Sequence, residues 1–436
     1  MRVAVVGAGI TGLALTHHLA ERGIESVAYE ADDQAGGVIR STEIDERTVE
    51  VGPQRLRLTP GVRDIVESVG LSEAVIEAGE EHLFVYSRGR LREAPLDREA
   101  FLKTDLLSWP GKLRLLAEPL SRQGMREETA AELFTRKFGR QAYERFIGPL
   151  YGGIYGSDPA EMPAEFALDG LLKREEQTGS FLRAFLKRVG QGQKSPPISF
   201  DGGNQELPTA IAERYDDRIE LGTAVTDIRH AAGAVGPRSE EAATATDGGQ
   251  RYVVETEAGA ETFDHVVVTT PADVTASLLA GVADGTDGLA SLNYNPLAMV
   301  HLDADCDEEG FGYQVAFGED LHTLGASWND SMFDRENLYT VFLGGMHEPE
   351  MIERPDEEIG EIAAAEFEQV MGAPAEVLNV ATRERWFPAY DRSWYGLEEF
   401  ESPDGIHLAT NYTARMGIPS RVREAKEVAE RLAEGS

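Results

Sequence analysis

The feature that most constrains this chain lies at its start. Val3-Ala4-Val5-Val6 is a short apolar run without alternation, the pattern of a strand buried on both faces. It opens directly into Gly7-Ala8-Gly9-Ile10-Thr11-Gly12. A helical pattern runs from about Thr11 to Arg22, Gly23 stops it, and Ser26-Val27-Ala28-Tyr29-Glu30 reads as the next strand. The unit is strand, helix, strand, with G-x-G-x-x-G at its first turn. Gly7 there permits a tight turn, Gly9 lets a diphosphate approach the backbone, and Gly12 lets helix and strand pack closely. Phosphates would rest on the helix N-terminus, at Ile10, Thr11 and Gly12, where unpaired N–H groups and the helix dipole favour anions. Glu30 ends the second strand about 20 residues on, where a carboxylate accepts ribose hydroxyls.

A second glycine loop decides which dinucleotide. Glu30 is succeeded by Gly36-Gly37-Val38-Ile39-Arg40-Ser41. Paired glycines at that distance bring this loop against the pyrophosphate of an extended dinucleotide, and Arg40 can neutralise it. A plain glycine turn with a surface arginine is the bland alternative. Two glycine loops at matched spacing favour FAD over a nicotinamide cofactor.

Composition narrows the setting. The 436 residues suit two closely packed domains, and 42% apolar content is ordinary for a globular protein. Acidic residues outnumber basic ones 77 to 41, for a formal charge of −36. Such repulsion is screened within about 3 Å at molar salt, so the balance reads as adaptation to a salty cytoplasm. Nucleic-acid binding is disfavoured, because no basic stripe exists to release counterions. The single cysteine, Cys306, excludes an internal disulfide, fits a reducing compartment and is expected to be a buried apolar residue. No stretch reaches the ~18 apolar residues of a membrane span, and the start does not read as a signal peptide. No metal-ligand spacing stands out, and His17-His18 on the first helix read as packing or solvent residues.

Along the chain, residues from about 60 to 200 are mostly helical in pattern. Strands resume after Gly202, a low-complexity stretch from Ala231 to Gln250 reads as a hairpin tip, and Ile406-His407-Leu408-Ala409 is a late strand before a closing helix. The expected architecture is α/β: a discontinuous Rossmann-like FAD-binding domain, plus an α+β substrate-binding domain with a helical insertion. The pieces are 1–75, 201–280 and 391–436 for the cofactor, 76–200 for the helical region, and 281–390 for the substrate sheet.

These motifs resemble the FAD-dependent amine oxidase superfamily, and within it the protoporphyrinogen oxidases. Glu30 to Ser41 is similar to that family's Glu-(x)5-Gly-Gly motif, and Gly52-Pro53-Gln54-Arg55-Leu56-Arg57 to its Gly-Pro loop beside the flavin. Gly152-Gly153-Ile154-Tyr155-Gly156, Gly202-Gly203-Asn204-Gln205-Glu206-Leu207-Pro208, Gly310-Phe311-Gly312 and Thr340-Val341-Phe342-Leu343-Gly344-Gly345 resemble further stretches in order. The resemblance implies FAD as cofactor, a porphyrinogen substrate and oxygen as electron acceptor. It places Gly52, Pro53, Val225, Met416, Gly417 and Ile418 on the cofactor, and Gly153 and Phe311 on the faces of the macrocycle. Arg98 is similar to a propionate-binding arginine, though its spacing is off by one.

The last motif departs from the family's. Where glycines are usual, this chain has Thr413-Ala414-Arg415-Met416-Gly417-Ile418. Arg415 would pair with a substrate carboxylate, meet the flavin's electron-rich edge, or turn to solvent. Two other readings stay open: a different flavin oxidase or desaturase, with Tyr412 and Trp394 or Tyr395 flanking the flavin, and a porphyrinogen-binding flavoprotein without turnover. A basic amphipathic helix at Phe181–Val189 suits peripheral contact with the inner face of the cell membrane. A cytoplasmic homodimer is compatible with all of these.

Overall fold

The computed structural model describes residues 1–79, 82–190, 195–231, 251–413 and 416–435. Its first sheet is parallel throughout, in the order Ile219–Glu220, Glu25–Tyr29, Arg2–Val6, His265–Val268, Ile406–Leu408. The apolar run at the N-terminus is thus central. Val3 and Val5 face a core shared with Leu13, Leu15 and Leu19 of the helix Ile10–Glu21 and with Val422, Ala425 and Val428 of the helix Ile418–Glu434. Ala4 and Val6 face the opposite way, toward Ile228, Tyr252, Val254 and Phe263 of a three-stranded antiparallel sheet. Burial on both faces explains the missing alternation.

A second, mixed sheet has seven strands in the order Ala375–Pro388, Tyr294–Ala304, Leu338–Gly344, Thr323–Trp328, Gly312–Val315, Leu83–Ser87, Arg90–Glu93. The helix Asp356–Met371 packs Ile359, Ala363 and Phe367 against Val300, Leu302 and Val341 of this sheet. Two strands at one end of the sheet correct the expectation of a helical 76–200 region. Leu83–Ser87 and Arg90–Glu93 form a hairpin through Arg88 and Gly89, at φ +53° and +72°. A two-residue hairpin of this kind requires positive φ at both positions, and an arginine there hides the turn from sequence.

Apart from the strands Val75–Glu77 and Pro197–Phe200, the regular structure in the rest of that region is helical as the pattern implied, from Arg98–Lys103 to Phe181–Gly190. At its centre Lys137, fully buried, bridges two buried carboxylates: Glu118 at 3.3 Å, and Glu175. Glu118 also accepts from the amides of Phe181 and Leu182, each at 3.1 Å, and so caps the last helix. Cys306 is half-buried against the second sheet's core, rather than fully inside. The stretch read as a hairpin tip falls almost entirely outside the described residues.

Candidate cofactor site and the region facing it

The glycine turn comes after the central strand, at the carboxyl end of the parallel sheet, where ligands of open α/β sheets bind. Gly7 has φ +100°, and a Cβ on Gly12 would lie 1.9 Å from the Gly7 carbonyl oxygen. Neither position admits a side chain. The second glycine loop lies directly against the first: the Gly36 amide donates to the Ala8 carbonyl at 2.9 Å. Gly36 and Gly37 have φ +116° and +60°, and a Cβ on Gly9 would meet nothing nearer than the Gly37 Cα, at 4.0 Å. Two bare backbones with open space at Gly9 make a cradle that suits a diphosphate on the N-terminus of the helix at Ile10, Thr11 and Gly12.

Glu30 sits beside this cradle and braces it. One carboxylate oxygen accepts from the Ala8 amide at 2.6 Å, the other from the Asp32 amide at 3.2 Å. Lone pairs remain for ribose hydroxyls. The Thr223 amide donates to the Glu30 carbonyl at 2.7 Å, which brings Val225, two residues on, to the same edge. Arg40 turns to its own loop, donating to the carbonyls of Ala35 at 2.5 Å and Gln34 at 3.2 Å. Its charge stays at the cradle while its donors hold the loop shut. Gly52 packs beneath, where a Cβ would fall 2.3 Å from the Val38 carbonyl oxygen. The neighbouring Pro53 carbonyl accepts from the Asn204 side chain at 2.7 Å.

At the far end, Gly417 begins the helix Ile418–Glu434 with no side-chain cap, and Met416 packs against the large hydrophobic cluster that also contains Tyr390, Trp394 and Tyr412. Within that cluster Trp394 stacks on Tyr390 at 4.5 Å, and the Tyr412 hydroxyl bonds to Thr275 at 2.7 Å. Tyr395 points away and donates to Glu165 at the surface. Arg415 lies outside the described residues.

Of the expected substrate contacts, Phe311 carries the Arg55 guanidinium over its ring at 4.9 Å, so the Gly-Pro loop and the Gly-Phe-Gly segment meet. Gly153 packs on the strand just beyond Phe311, where a Cβ would lie 1.9 Å from the Gln314 side-chain oxygen. Arg98 is not brought to them. It is exposed, at the start of a surface helix capped by Asp97.

Sequence reasoning missed a buried polar junction between the strand Arg47–Glu50 and the second sheet. Glu50 is fully buried and pairs with Arg335 at 2.9 Å; it also accepts from Ser41 at 2.7 Å and from the Asn204 amide at 2.9 Å. Burial pushes its carboxyl up, against the opposing pull of Arg335. His301 meets the Glu50 carbonyl at 3.0 Å, and burial lowers it to about 4, so it is neutral. Gln54 joins the junction by accepting from Asn329 at 2.9 Å and Thr340 at 3.0 Å. Only the apolar flanks of Glu50, Val49 and Val51, hint at this in the sequence.

A parallel sheet with two touching glycine loops at its carboxyl edge defines a dinucleotide-binding protein, and the cradle's shape fits FAD. Residues 10–433 match the flavin containing amine oxidoreductase family, and the chain belongs to it. Its cofactor is FAD. Among its relatives is protoporphyrinogen oxidase 2, chloroplastic/mitochondrial, of Arabidopsis thaliana, 26% identical over 91% of this chain and 86% of the relative. Another is coproporphyrinogen III oxidase of Staphylococcus aureus, 24% identical over 85% of this chain and 84% of the relative. In fold, the chain superposes on a protein from Exiguobacterium sp. 255-15 assigned as a protoporphyrinogen oxidase. There the TM-score is 0.78 and the identity 22%, over 100% and 99% of the two chains. A putrescine oxidase variant gives a TM-score of 0.74 at 15% identity, over 100% and 99%.

Proposed function

We propose that this oxidoreductase converts a porphyrinogen, protoporphyrinogen or coproporphyrinogen, to the porphyrin, with oxygen as the electron acceptor. The reading is carried by the end-to-end similarity to relatives named for these two reactions. Bound FAD supplies the hydride acceptor, and the macrocycle yields a hydride and a proton in each round until it is aromatic, oxygen leaving as peroxide. The chain's own part is placement. Gly7, Gly9, Ile10, Thr11, Gly12, Glu30, Gly36, Gly37 and Val225 hold the nucleotide half; Gly52, Pro53, Met416, Gly417 and Ile418 hold the ring. Gly153 and Phe311 border the macrocycle, Arg415 is a candidate partner for a propionate, and Arg98 would have to move inward to meet one.

Protein purified in molar salt is expected to be yellow and to speed porphyrin fluorescence above enzyme-free controls when either porphyrinogen is added under air. The ratio of the two rates names the substrate. A yellow protein that oxidises neither porphyrinogen but makes peroxide from amines would overturn this reading in favour of an amine oxidase, for which the Tyr390, Trp394 and Tyr412 cluster would supply the aromatic wall. A yellow protein with no turnover of either kind points to a carrier.

Peripheral membrane contact has a better candidate than the helix at 181. On the helix Trp109–Leu116, Trp109 and Leu113 are each 66% exposed and Leu116 lies on the same face, with Leu120 89% exposed just beyond. A tryptophan and leucine stripe of this kind suits a lipid interface. Flotation on anionic liposomes in molar salt, where charge interactions of either sign are screened, is expected for the wild type and lost in Leu113→Glu. Protein left wholly in the lower fraction ends the idea.

A further inference from the structure

Near its end the helix Ile10–Glu21 carries two adjacent histidines, and both are buried, His17 at 2% exposed and His18 at 4%. Glu21 follows His18 by three residues and His17 by four, the two spacings that bring side chains together on a helix. One Glu21 carboxylate oxygen therefore meets both rings, His17 Nε2 at 3.3 Å and His18 Nδ1 at 3.3 Å. All three atoms lie within 4.8 Å of one another, and among the described residues no other three histidine, cysteine, aspartate or glutamate side chains gather in this way. As ion pairs these contacts are poor. Burial holds both imidazoles below their ordinary value, His18 at about 4, so both are neutral near pH 7. His17 Nδ1 meets the Tyr215 hydroxyl at 2.9 Å, and that hydroxyl also accepts from Arg214 Nε at 3.3 Å. A ring proton given to Tyr215 leaves the Nε2 lone pair facing a carboxylate, an arrangement that a cation between them resolves. His18 Nε2 has no partner among the described residues, so no bond on that side fixes the proton of the ring.

We propose that His17 Nε2, His18 Nδ1 and Glu21 hold one divalent cation of the zinc class, with water on the exposed side of Glu21 as the fourth ligand. Ligands about 2.1 Å from a tetrahedral ion stand about 3.3 Å from one another, the separation each histidine already has from Glu21. Only the edge between the two rings has to shorten. Two imidazoles and one carboxylate suit zinc, whereas magnesium and calcium take oxygen ligands. The last turn of a helix favours a cation, because its free carbonyls and the helix dipole are negative there. Of the charged groups around His17, Asp64 strengthens the site, and Arg22 and Arg214 weaken it. The ion would lie about 10 Å along the helix from the glycine turn and, through Tyr215, would tie this helix to the end of the helix Glu206–Arg214. It braces the cofactor domain without touching the cofactor, and the inference does not rest on the choice of substrate.

The test uses the FAD-loaded full chain, freed of metal with a chelator and titrated with Zn2+ by calorimetry. One equivalent is expected to bind and to raise Tm by several degrees, while Mg2+ at the same concentration does neither. Co2+ in place of Zn2+ is expected to give the intense visible bands of a tetrahedral site, read as a difference spectrum over the flavin. The faint bands of an octahedral ion would place the metal on Glu21 and water alone and overturn the proposal. Glu21→Gln, at a half-exposed position, should keep its fold and bind Zn2+ about 100-fold more weakly. His18→Gln is expected to lose binding altogether; if it does not fold, Glu21→Gln and the Co2+ spectrum decide. His322→Asn, which removes the exposed pair of His322 with Glu348, should leave the affinity unchanged. Binding that disappears there instead, binding equal in wild type and Glu21→Gln, or no binding at millimolar Zn2+ each overturns the site.

Discussion

Gly12→Val is expected to give a colourless protein, its affinity for FAD reduced about 100-fold or more, some 3 kcal/mol of binding. A Cβ at this position would stand 1.9 Å from the Gly7 carbonyl oxygen, a backbone atom that cannot swing aside. The turn must open, and helix and strand must part, at a further cost to stability of about 1–3 kcal/mol. Gly9→Val makes the informative comparison. Within the protein its Cβ has room, with only the Gly37 Cα at 4.0 Å, so the apoprotein should melt near the wild-type temperature and yet fail to hold FAD. Visible absorbance after dialysis against FAD, with Tm measured on the stripped proteins, separates the two. Retention of flavin by Gly9→Val would show that the pyrophosphate does not pass over this turn.

The second large effect is expected from Arg335→Met. Removing the guanidinium leaves Glu50 fully buried with its charge unpaired, and breaking such a pair typically costs about 3–5 kcal/mol. The loss should depend on pH in a definite direction. Burial already raises Glu50 above its ordinary value, and loss of Arg335 raises it further. Below the wild-type value the carboxyl is neutral in both proteins and the variant loses little. Between that value and the variant's higher one the wild type gives up its proton while the variant keeps it, so the deficit grows as pH rises toward neutral and levels off above the higher value. Denaturant melts of wild type and variant at mildly acidic and neutral pH check this. Glu50→Gln/Arg335→Met, with no charge to bury, should regain most of the stability. An equal deficit at both pH values would mean that the junction works by packing alone.

The cofactor cradle was legible because its determinants are local. One apolar run, three spaced glycines, an acid at the end of the next strand and a second pair of glycines all fall within the first 40 residues, and each demands a particular backbone. The parallel sheet was legible for the same reason, down to its late strand at Ile406. The features that escaped are non-local. Glu50 and Arg335 are 285 residues apart, and His301 is 251 from the carbonyl it meets, so no spacing announces them. The hairpin at 83–93 escaped because Arg88 occupies a position where glycine or asparagine would have signalled a turn. Arg98 is the converse case: a residue picked by likeness to a motif stands exposed on a surface helix, apart from Gly153 and Phe311.

The order of strands in the cofactor sheet has a consequence for how the protein is made. Of the five strands in this sheet, the one made first is the middle one, and the neighbour of its neighbour, Ile406–Leu408, is made last. The closing helix that covers Leu13 and Leu15 emerges even later. On the ribosome, therefore, Val3 and Val5 must wait until the strand Ile406–Leu408 and the helix Ile418–Glu434 have been made, with an uncovered face beside an unfinished sheet. Such long-range pairing is slow, and the waiting intermediate is prone to aggregate. Flavin capture becomes a post-translational event, and a message truncated anywhere before the final helix yields a chain without a finished cofactor domain.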